Sequence, residues 1–409
     1  MVKVSNRLGA LHIVRRLREK GFQAFYAGGC VRDMLLGRRP KDYDVVTDAL
    51  PEQIIKLFRR TLEIGAQFGV IMVLMDGKQV EVATFRTEHG YADGRHPDQV
   101  EFATAKEDAY RRDFTINGMF FDPVSRQIHD FVGGQQDIQR RILRTIGPAR
   151  ERFGEDYLRM LRAIRFAVRF DFAMEPTTWD AICELSGRIT RISAERVANE
   201  LEGILTHPNR KHGGQCLHNS GLLAHIFPGL DSGQVDDGLS VMGFLPKNAD
   251  WPLALAALFA GLDVQQALEM VERLKPSRSL VKQVAFLLKH RGHLADGDIP
   301  LAQLKMLAAE PYFWDLFDLQ KAIQKAQKGP RAGLARIKRR LKDLKGKDIT
   351  PRPLLDGHAL MALGALPGPM VGRLSREMYI AQLSEQISTE EQAQKWVRKW
   401  LDKNLSTYK

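Results

Sequence analysis

Two aspartates two residues apart, Asp42 and Asp44, close the stretch YAGGCVRDMLLGRRPKDYDVV (26–46), behind a glycine pair and an Arg-Asp step. On a β-strand, residues i and i+2 project from the same face, so both carboxylates can converge on one point. Carboxylates arranged in this way suit Mg²⁺, which keeps several waters and joins one or two carboxylates to substrate phosphates. Two such ions can activate an attacking hydroxyl and neutralise a leaving pyrophosphate in an in-line displacement. An acidic surface turn shows the same spacing, so the neighbouring residues must decide. Glu81, which opens EVATF (81–85), is a candidate third carboxylate.

Gly28-Gly29 is the first such neighbour. Glycines let a backbone approach a phosphate closely, and a helix start beside them offers free N–H groups. Arg32 falls in that first turn, within reach of phosphates. No GK[ST] follows, so this is not a P-loop, nor is it GxGxxG; ordinary turns also use glycine pairs. RRDFTINGM (111–119) supplies Arg111, Arg112, Asp113 and Asn117, residue types that bind phosphate and ribose, although a capped helix with charged flanks would read alike. In EDYLRMLRAIRFAVRF (155–170), Asp156, Arg159, Arg162 and Arg165 are spaced by three and form one ridge of an expected helix. Tyr157, Leu161, Ile164 and Val168 lie on its other, buried side. Amphipathicity explains the apolar half but not three arginines in file behind one carboxylate. An aspartate accepts from a base amino group and an arginine donates to ring nitrogen and carbonyl, so together they can read the edge of C or A without a template.

Such residues need elements to hold them. FQAFYAGG reads as a strand ending in a glycine turn, VRDMLLG as a short helix, DYDVVT as a second strand, and PEQIIKLFRR as a helix with proline at its start. GVIMVLMDGKQVEVATFR reads as a hairpin turning at Asp76-Gly77. TEHGYADGRHPDQVE (87–101) is poor in apolar residues and reads as a mobile loop. Beyond about residue 135 strand signals vanish and helical periodicity runs to the end. The N-terminal segment reads as an amphipathic helix, with Leu8, Leu11, Ile13, Val14 and Leu17 near one face, and not as a signal peptide.

At 409 residues two or more domains are expected. Lys and Arg number 61 against 49 Asp and Glu, a net charge of +12 that favours a polyanionic partner, RNA or DNA. Residues 321–347 hold many Lys and Arg and a single acid, Asp343, which tilts this segment towards phosphate-backbone contact, although a basic run is commonly a solvated helix face. No apolar run approaches the roughly 18 residues of a membrane span. Three widely spaced cysteines give no disulfide framework and no CxxC pair, which fits a reducing cytoplasm.

GGCVRDMLLGRRPKDYD, VEVATFR, RRDFTINGM, DFVGG and EDYLRMLRAIRF, in this order, resemble the motifs of the class II tRNA nucleotidyltransferases and bacterial poly(A) polymerases, of the polymerase β superfamily. The resemblance covers residues 22 to about 230, and LMALGALPGPMVGRL (360–374) is similar to the tail of bacterial CCA-adding enzymes. It implies an α+β fold: a nucleotidyltransferase head with a mixed sheet (1–145), then an all-α neck (146–235), body (236–345) and tail (346–409) in a sickle shape. It implies that Asp42 and Asp44 bind Mg²⁺ and that Gly29, beside Gly28, holds the triphosphate with Arg32 and Arg112. Asp113 would contact the ribose near Asn117, and Asp156 with Arg159 would pair with the base in a pocket completed by Arg162 and Arg165. Glu81 matches a metal-site carboxylate of the poly(A) relatives.

The implied activity is template-independent addition of CCA, from CTP and ATP, to the 3′ end of tRNA in the cytoplasm. A-adding and poly(A)-adding relatives are the alternatives. CC-adding relatives lack the loop present here at 87–101, and poly(A) polymerases carry a basic stretch where this chain has IGAQFGVI (64–71). His212, His218, His225 and His358 form no adjacent His-Asp pair, so an attached phosphohydrolase activity is not expected.

Overall fold

Runs of β-branched and aromatic residues build a seven-stranded mixed sheet in the first part of the chain. In this computed structural model, which describes residues 6–63, 69–75, 77–89, 99–346 and 348–404, it comprises β1 (Ala24–Ala27), β2 (Asp44–Thr47), β3 (Thr61–Leu62), β4 (Val70–Met75) and β5 (Lys78–Thr84). After β6 (Arg86–His89) and β7 (Gln99–Phe102), which form a separate antiparallel pair, β8 (Met119–Asp122) and β9 (Gln127–Asp130) complete it. The order is β3-β4-β5-β2-β1-β8-β9, with β2 and β5 parallel and the other neighbours antiparallel.

Register decides what meets at the sheet's end. Ala27 lies opposite Asp44, so Gly28, the next residue, leaves β1 beside the acidic pair. Val45 pairs with Val82, which sets Asp44 level with Glu81 on the parallel neighbour. Because side chains alternate, Asp44 shares a face with Ala27, Val46 and Glu81. Further along that face Phe25, Phe85 and Phe120 pack with ring centroids 6.0–6.3 Å apart. The opposite face is covered by α1 (Asn6–Glu19), to whose Arg7 carbonyl the Tyr26 hydroxyl donates at 3.2 Å. In α1, Ile13, Val14 and Leu17 are buried, but Leu8 is 46% exposed, outside the apolar face expected for it.

The two expected helices follow as α2 (Gly29–Leu35) and α3 (Pro51–Leu57), and the structure adds α4 (Ala105–Tyr110) and α5 (Gly134–Arg140). The DFVGG motif has a structural task. One Asp130 oxygen accepts the Val132 and Gly134 N–H groups at 3.1 and 3.0 Å and the other that of Gln135 at 2.8 Å, so this carboxylate starts α5. The helices α6 (Ala149–Glu155), α7 (Leu158–Phe170), α8 (Pro176–Leu185) and α9 (Ala194–Leu205) come next. The segment is not free of strands: β10 (Ile142–Leu143) and β11 (Ala173–Met174) form a short parallel pair, too brief for periodicity to reveal. The 87–101 segment also differs from an open loop, because its two ends are the paired β6 and β7; residues 90–98 lie outside the described residues, as do 64–68 of the 64–71 stretch and Asp76 of the hairpin turn.

The chain divides into two compact units, Met1–Asp231 with Arg273–Lys275, and Ser232–Glu272 with Pro276–Lys409. The second is helical throughout its described residues. Its core includes Leu360, Met370, Leu374, Met378, Val397 and Trp400, whose indole N–H donates to Glu377 at 2.6 Å. Part of the basic 321–347 run is consumed within this unit: Arg336 pairs with Asp298, and Arg340 donates to the Gly297 and Ile299 carbonyls at 3.0 and 2.6 Å.

Gly134 lies where a side chain has no room, since an added Cβ would stand 2.3 Å from the Thr115 carbonyl oxygen. Gly134→Ala should therefore cost about 1–3 kcal/mol in urea unfolding. Gly154→Ala, in α6 with nothing within 4 Å, should instead stabilise by about 0.5–1 kcal/mol. Equal stability of the two variants would contradict this packing.

Candidate active site

The floor of the site is the end of β1, β2 and β5. Gly28 has φ +67°, and a Cβ there would sit 3.2 Å from a terminal nitrogen of Arg112, so glycine serves both the turn and the close approach. Asp44 begins β2, and Asp42 precedes the strand rather than lying within it as expected. Alternation nevertheless continues: Asp42 and Asp44 are exposed, while Tyr43 between them is buried against the Tyr26 ring at 5.2 Å. Although its edge reaches solvent, Asp44 loses part of its hydration to the protein packed around it, and this, with the negative charges of Glu81 and Asp42, outweighs the pull of Arg112 and raises its pKa to about 6. Glu81 stands in the middle of β5, not at its start. Among the described residues no three Asp, Glu, His or Cys side chains gather to hold a metal unaided. A cation here would complete its shell with water and phosphate oxygens, which is how Mg²⁺ binds. Beside Asp44, Cys30 is buried with its Sγ donating to the Ala27 carbonyl at 3.1 Å, and burial, then the Asp44 charge, pushes its pKa to about 12.

A cavity of about 560 Å³ opens from this floor, lined by Gly28, Gly29, Arg32, Asp44, Arg112, Asp113, Asn117, Asp156, Arg159, Arg162 and Arg165. Eleven of the thirteen residues singled out in the sequence thus share one wall; Asp42 and Glu81 fall outside its lining. The cavity also takes in Arg111, the other arginine of RRDFTINGM, together with Phe166, Arg169 and Arg196, which sequence reading passed over.

Its arginines are anchored. Arg32 is buried, donating to Asn117 Oδ1 at 2.6 Å and to Asp33 Oδ1 at 2.8 and 3.0 Å, with its guanidinium 4.4 Å from the Phe170 ring centroid. Arg111 and Arg112 grip opposite oxygens of Asp108, at 2.7 and 2.9 Å. Burial alone would raise the Asp108 carboxyl, but the two guanidiniums hold it below the usual carboxylate range. Asp108 was not singled out, although its place three and four residues before the two arginines, on one helix face, is the signal that could have found it.

Asp113 Oδ2 receives Arg162 through Nε and a terminal nitrogen at 3.0 and 2.7 Å, and its Oδ1 receives the Phe114 N–H at 2.8 Å and the Asn117 amide at 3.0 Å. Burial opposes the charge, yet Arg162 and these donors outweigh it and bring the pKa to about 2.

Helix α7 carries the ridge. Leu161, Ile164 and Val168 are buried, and Arg159, Arg162, Arg165 and Arg169 emerge in sequence, over about 15 Å of helix. Asp156 is not part of that helix. It lies in the break after α6 with φ −150°, where the chain turns, and Tyr157 is only half-buried. The Asp156 Oδ2 receives Arg196 from α9 at 2.6 Å, while Arg159 bonds Glu155 and the Arg152 carbonyl. Arg165 donates to Glu200 at 2.5 Å and lies over the Phe166 ring at 4.7 Å.

The Asp113–Arg162 pair sets a pH dependence. A folded pKa of about 2, below the ordinary 3.8, means that the stabilisation is complete above about pH 4 and is lost as pH falls through about 2. Arg162→Ala should cost about 2–3 kcal/mol in urea unfolding near neutral pH, and the deficit should shrink between about pH 4 and pH 2. A deficit that does not change with pH would assign the loss to packing instead.

Comparison with known proteins places these features in a family. Residues 24–144 match the poly A polymerase head domain, and residues 171–233 match the probable RNA and SrmB-binding site of polymerase A. The chain is 42% identical over 222 residues to the CCA-adding enzyme of Geobacillus kaustophilus, an alignment spanning 54% of each protein. It is 37% identical to the Geobacillus stearothermophilus CCA-adding enzyme over 68% of this chain and 69% of that one. With the Streptococcus suis CCA-adding enzyme, 32% identity extends over 388 residues, 94% of both chains. Among solved structures, the Bacillus stearothermophilus CCA-adding enzyme in complex with CTP superimposes with TM-score 0.80 at 28% identity, covering 98% of this chain and 99% of that one. The Thermotoga maritima CCA-adding enzyme complexed with tRNA CCA shares the fold with TM-score 0.69 at 22% identity, over 97% and 95% of the two chains. Sheet order, an arginine-lined cavity and near full-length similarity converge, and the chain belongs to the family of CCA-adding enzymes.

Proposed function

We propose that this protein adds C, C and A in turn to the 3′ end of tRNA, using CTP and ATP and releasing pyrophosphate. One observation carries the reading: a single cavity brings the Asp44 carboxylate and the Gly28-Gly29 turn together with Asp156 and Arg159. Support comes from near full-length relatives that are CCA-adding enzymes, one of them solved with CTP and another with tRNA. No helix among the described residues is long and apolar enough to cross a membrane, in keeping with the cytoplasmic site we assign to the activity.

In this reading the triphosphate lies against the Gly28-Gly29 backbone, with Arg32 and Arg112 facing it. Both arginines are fixed before substrate arrives, so little reorganisation accompanies charge development on the phosphates. Asp113 and Asn117 face the ribose, and Asp156 with Arg159 reads the base edge. Asp42 and Asp44 would hold Mg²⁺, with Glu81 supporting Asp44 from β5; the raised Asp44 pKa marks unbalanced negative charge that a cation relieves. Bound magnesium supplies neutralisation of phosphate charge and easier deprotonation of the attacking hydroxyl. The 3′-hydroxyl of the tRNA then displaces pyrophosphate from the α-phosphate, and no histidine base is called for. We assign the sheet-bearing part, 1–145, as head, and 146–235, 236–345 and 346–409 as neck, body and tail.

The deciding assay extends three labelled RNAs (tRNA lacking CCA, tRNA ending in CC, and an unrelated RNA) with CTP, ATP or both. The first should gain C, C and A and stop. One A added only to the CC-ended tRNA would mean an A-adding enzyme, and a long tail on the unrelated RNA a poly(A) polymerase. Chelation should abolish extension and Mg²⁺ restore it. Asp42→Ala and Asp44→Ala should each lower incorporation at least about a hundredfold while leaving tRNA binding intact.

Asp44 also makes a stability prediction. Its raised pKa means the fold favours the neutral carboxyl, a preference present at low pH and lost as pH rises through about 6. Without metal, Asp44→Asn should melt above wild type near pH 8 and converge with it near pH 4. A lower melting temperature near pH 8 would contradict the crowding described.

A further inference from the structure

The arginine ridge of α7 runs past the residues assigned to the nucleotide. Arg169, about 15 Å along the helix from Arg159, lines the far end of the cavity beside Phe170. Three guanidiniums share the Phe170 ring: Arg32 lies 4.4 Å from its centroid, Arg38 5.1 Å and Arg169 5.2 Å. Arg32 belongs to the nucleotide site, since a Cβ on Gly29 would stand 3.4 Å from its terminal nitrogen, and Asp33 meets its charge. Every other arginine of the cavity lining also meets an acid, with the exception of Arg169. Arg169 and Arg38, which sits in the turn after α2, have no acidic partner among the described residues; the aromatic face is what orients them. His207, in the turn after α9, completes the group. Its Nδ1 accepts the Asn209 N–H at 3.2 Å, which leaves the ring proton on Nε2 as a donor. Burial, then the charges of Arg169, Arg210 and Arg38, hold the His207 pKa below the usual histidine value, so the ring offers a hydrogen bond without adding repulsion. Arg210 itself is taken up by the Leu205 and Thr206 carbonyls, both at 3.1 Å.

We propose that Arg38 and Arg169, with His207, form a second anion site that takes the departing pyrophosphate and holds it while the next nucleotide enters. Pyrophosphate released beside Gly28-Gly29 passes from Arg32 to these groups across a single aromatic ring. Adding C, C and A in turn requires the triphosphate position to be cleared between additions. A holding place beyond it lets reloading begin before the product has left the protein. Unmet guanidinium charge suits this task, because a tightly paired arginine would give the anion less to bind. The inference rests on the nucleotidyl transfer proposed above.

The test is titration calorimetry with inorganic pyrophosphate on the full chain saturated with CTP, without RNA so that no transfer occurs. Wild type, Arg38→Gln, Arg169→Gln and the double variant are compared. Saturated wild type should still take up one pyrophosphate. Each single variant should weaken that uptake about tenfold and the double variant abolish it, while CTP affinity stays within about twofold. Circular dichroism checks the fold; should Arg169→Gln fail it, Arg38→Gln, at an exposed turn position, answers the same question. Saturated wild type that takes up no pyrophosphate, or variants that lose CTP affinity by the same factor, would overturn the inference, since the arginines would then serve the triphosphate itself. Weakened tRNA binding with pyrophosphate uptake unchanged would also overturn it and assign the cluster to RNA backbone. A wild type that does not bind CTP would instead overturn the nucleotidyl-transfer reading beneath it.

Discussion

A carboxylate shut away from water is costly unless a cation and further donors meet it. Asp113 is such a group, and the site is organised around meeting that demand. Arg162 from α7 takes one oxygen, while the Phe114 N–H and the Asn117 amide take the other. Asn117 in turn accepts from Arg32, and Arg32 is braced by Asp33 and the Phe170 ring. The links Arg162–Asp113–Asn117–Arg32 therefore run unbroken from α7 through the short turn at Thr115–Asn117 to α2, the helix that follows the glycine pair. Loss of any member leaves a neighbour with an unmet charge, so the three elements hold one geometry together.

The same logic extends around the cavity. Its wall carries many guanidiniums, and bare they would repel one another. Asp108 takes two of them, Glu200 takes Arg165, and Asp156 takes Arg196. Aromatic faces do the rest: Phe166 lies 4.7–5.3 Å from Arg32, Arg162 and Arg165. Each acid uses part of an arginine's five donors and leaves others for a polyanionic ligand. The result is a cationic surface whose groups are oriented before any ligand binds.

Much of this was legible in the sequence, and the reasons are local. Gly28-Gly29, Asp44 and the α7 arginines sit in short segments whose spacing maps directly onto a turn, a strand and a helix face. Paired strands β1, β2 and β5 follow from alternation, and register then makes neighbours of residues far apart in sequence. What stayed hidden depends on tertiary contact. Arg196 and Glu200 look like ordinary surface residues of an amphipathic helix until α9 packs on α7. Asp156 looks like the first residue of a helical ridge until the break at 156–157 turns it towards α9. The β10–β11 pair, two residues each, carries no periodicity to detect. Leu8 is exposed because it stands on the far side of α1 from the face shared by Ala10, Ile13, Val14 and Leu17, although its neighbours Arg7 and Gly9 lie against the sheet.

Cys30 shows a different consequence of the same packing. It stands next to Asp44, one residue beyond the glycine pair, at a place where a thiol would be well positioned to trap electrophiles. Burial and the neighbouring carboxylate keep that thiol protonated, and the thiolate is the form that reacts. The sulfur is also buried, out of the direct path of a reagent in the cavity. The molecule carries its sulfur there as a small apolar filler, 3% exposed, behind an acidic pair that opens to solvent.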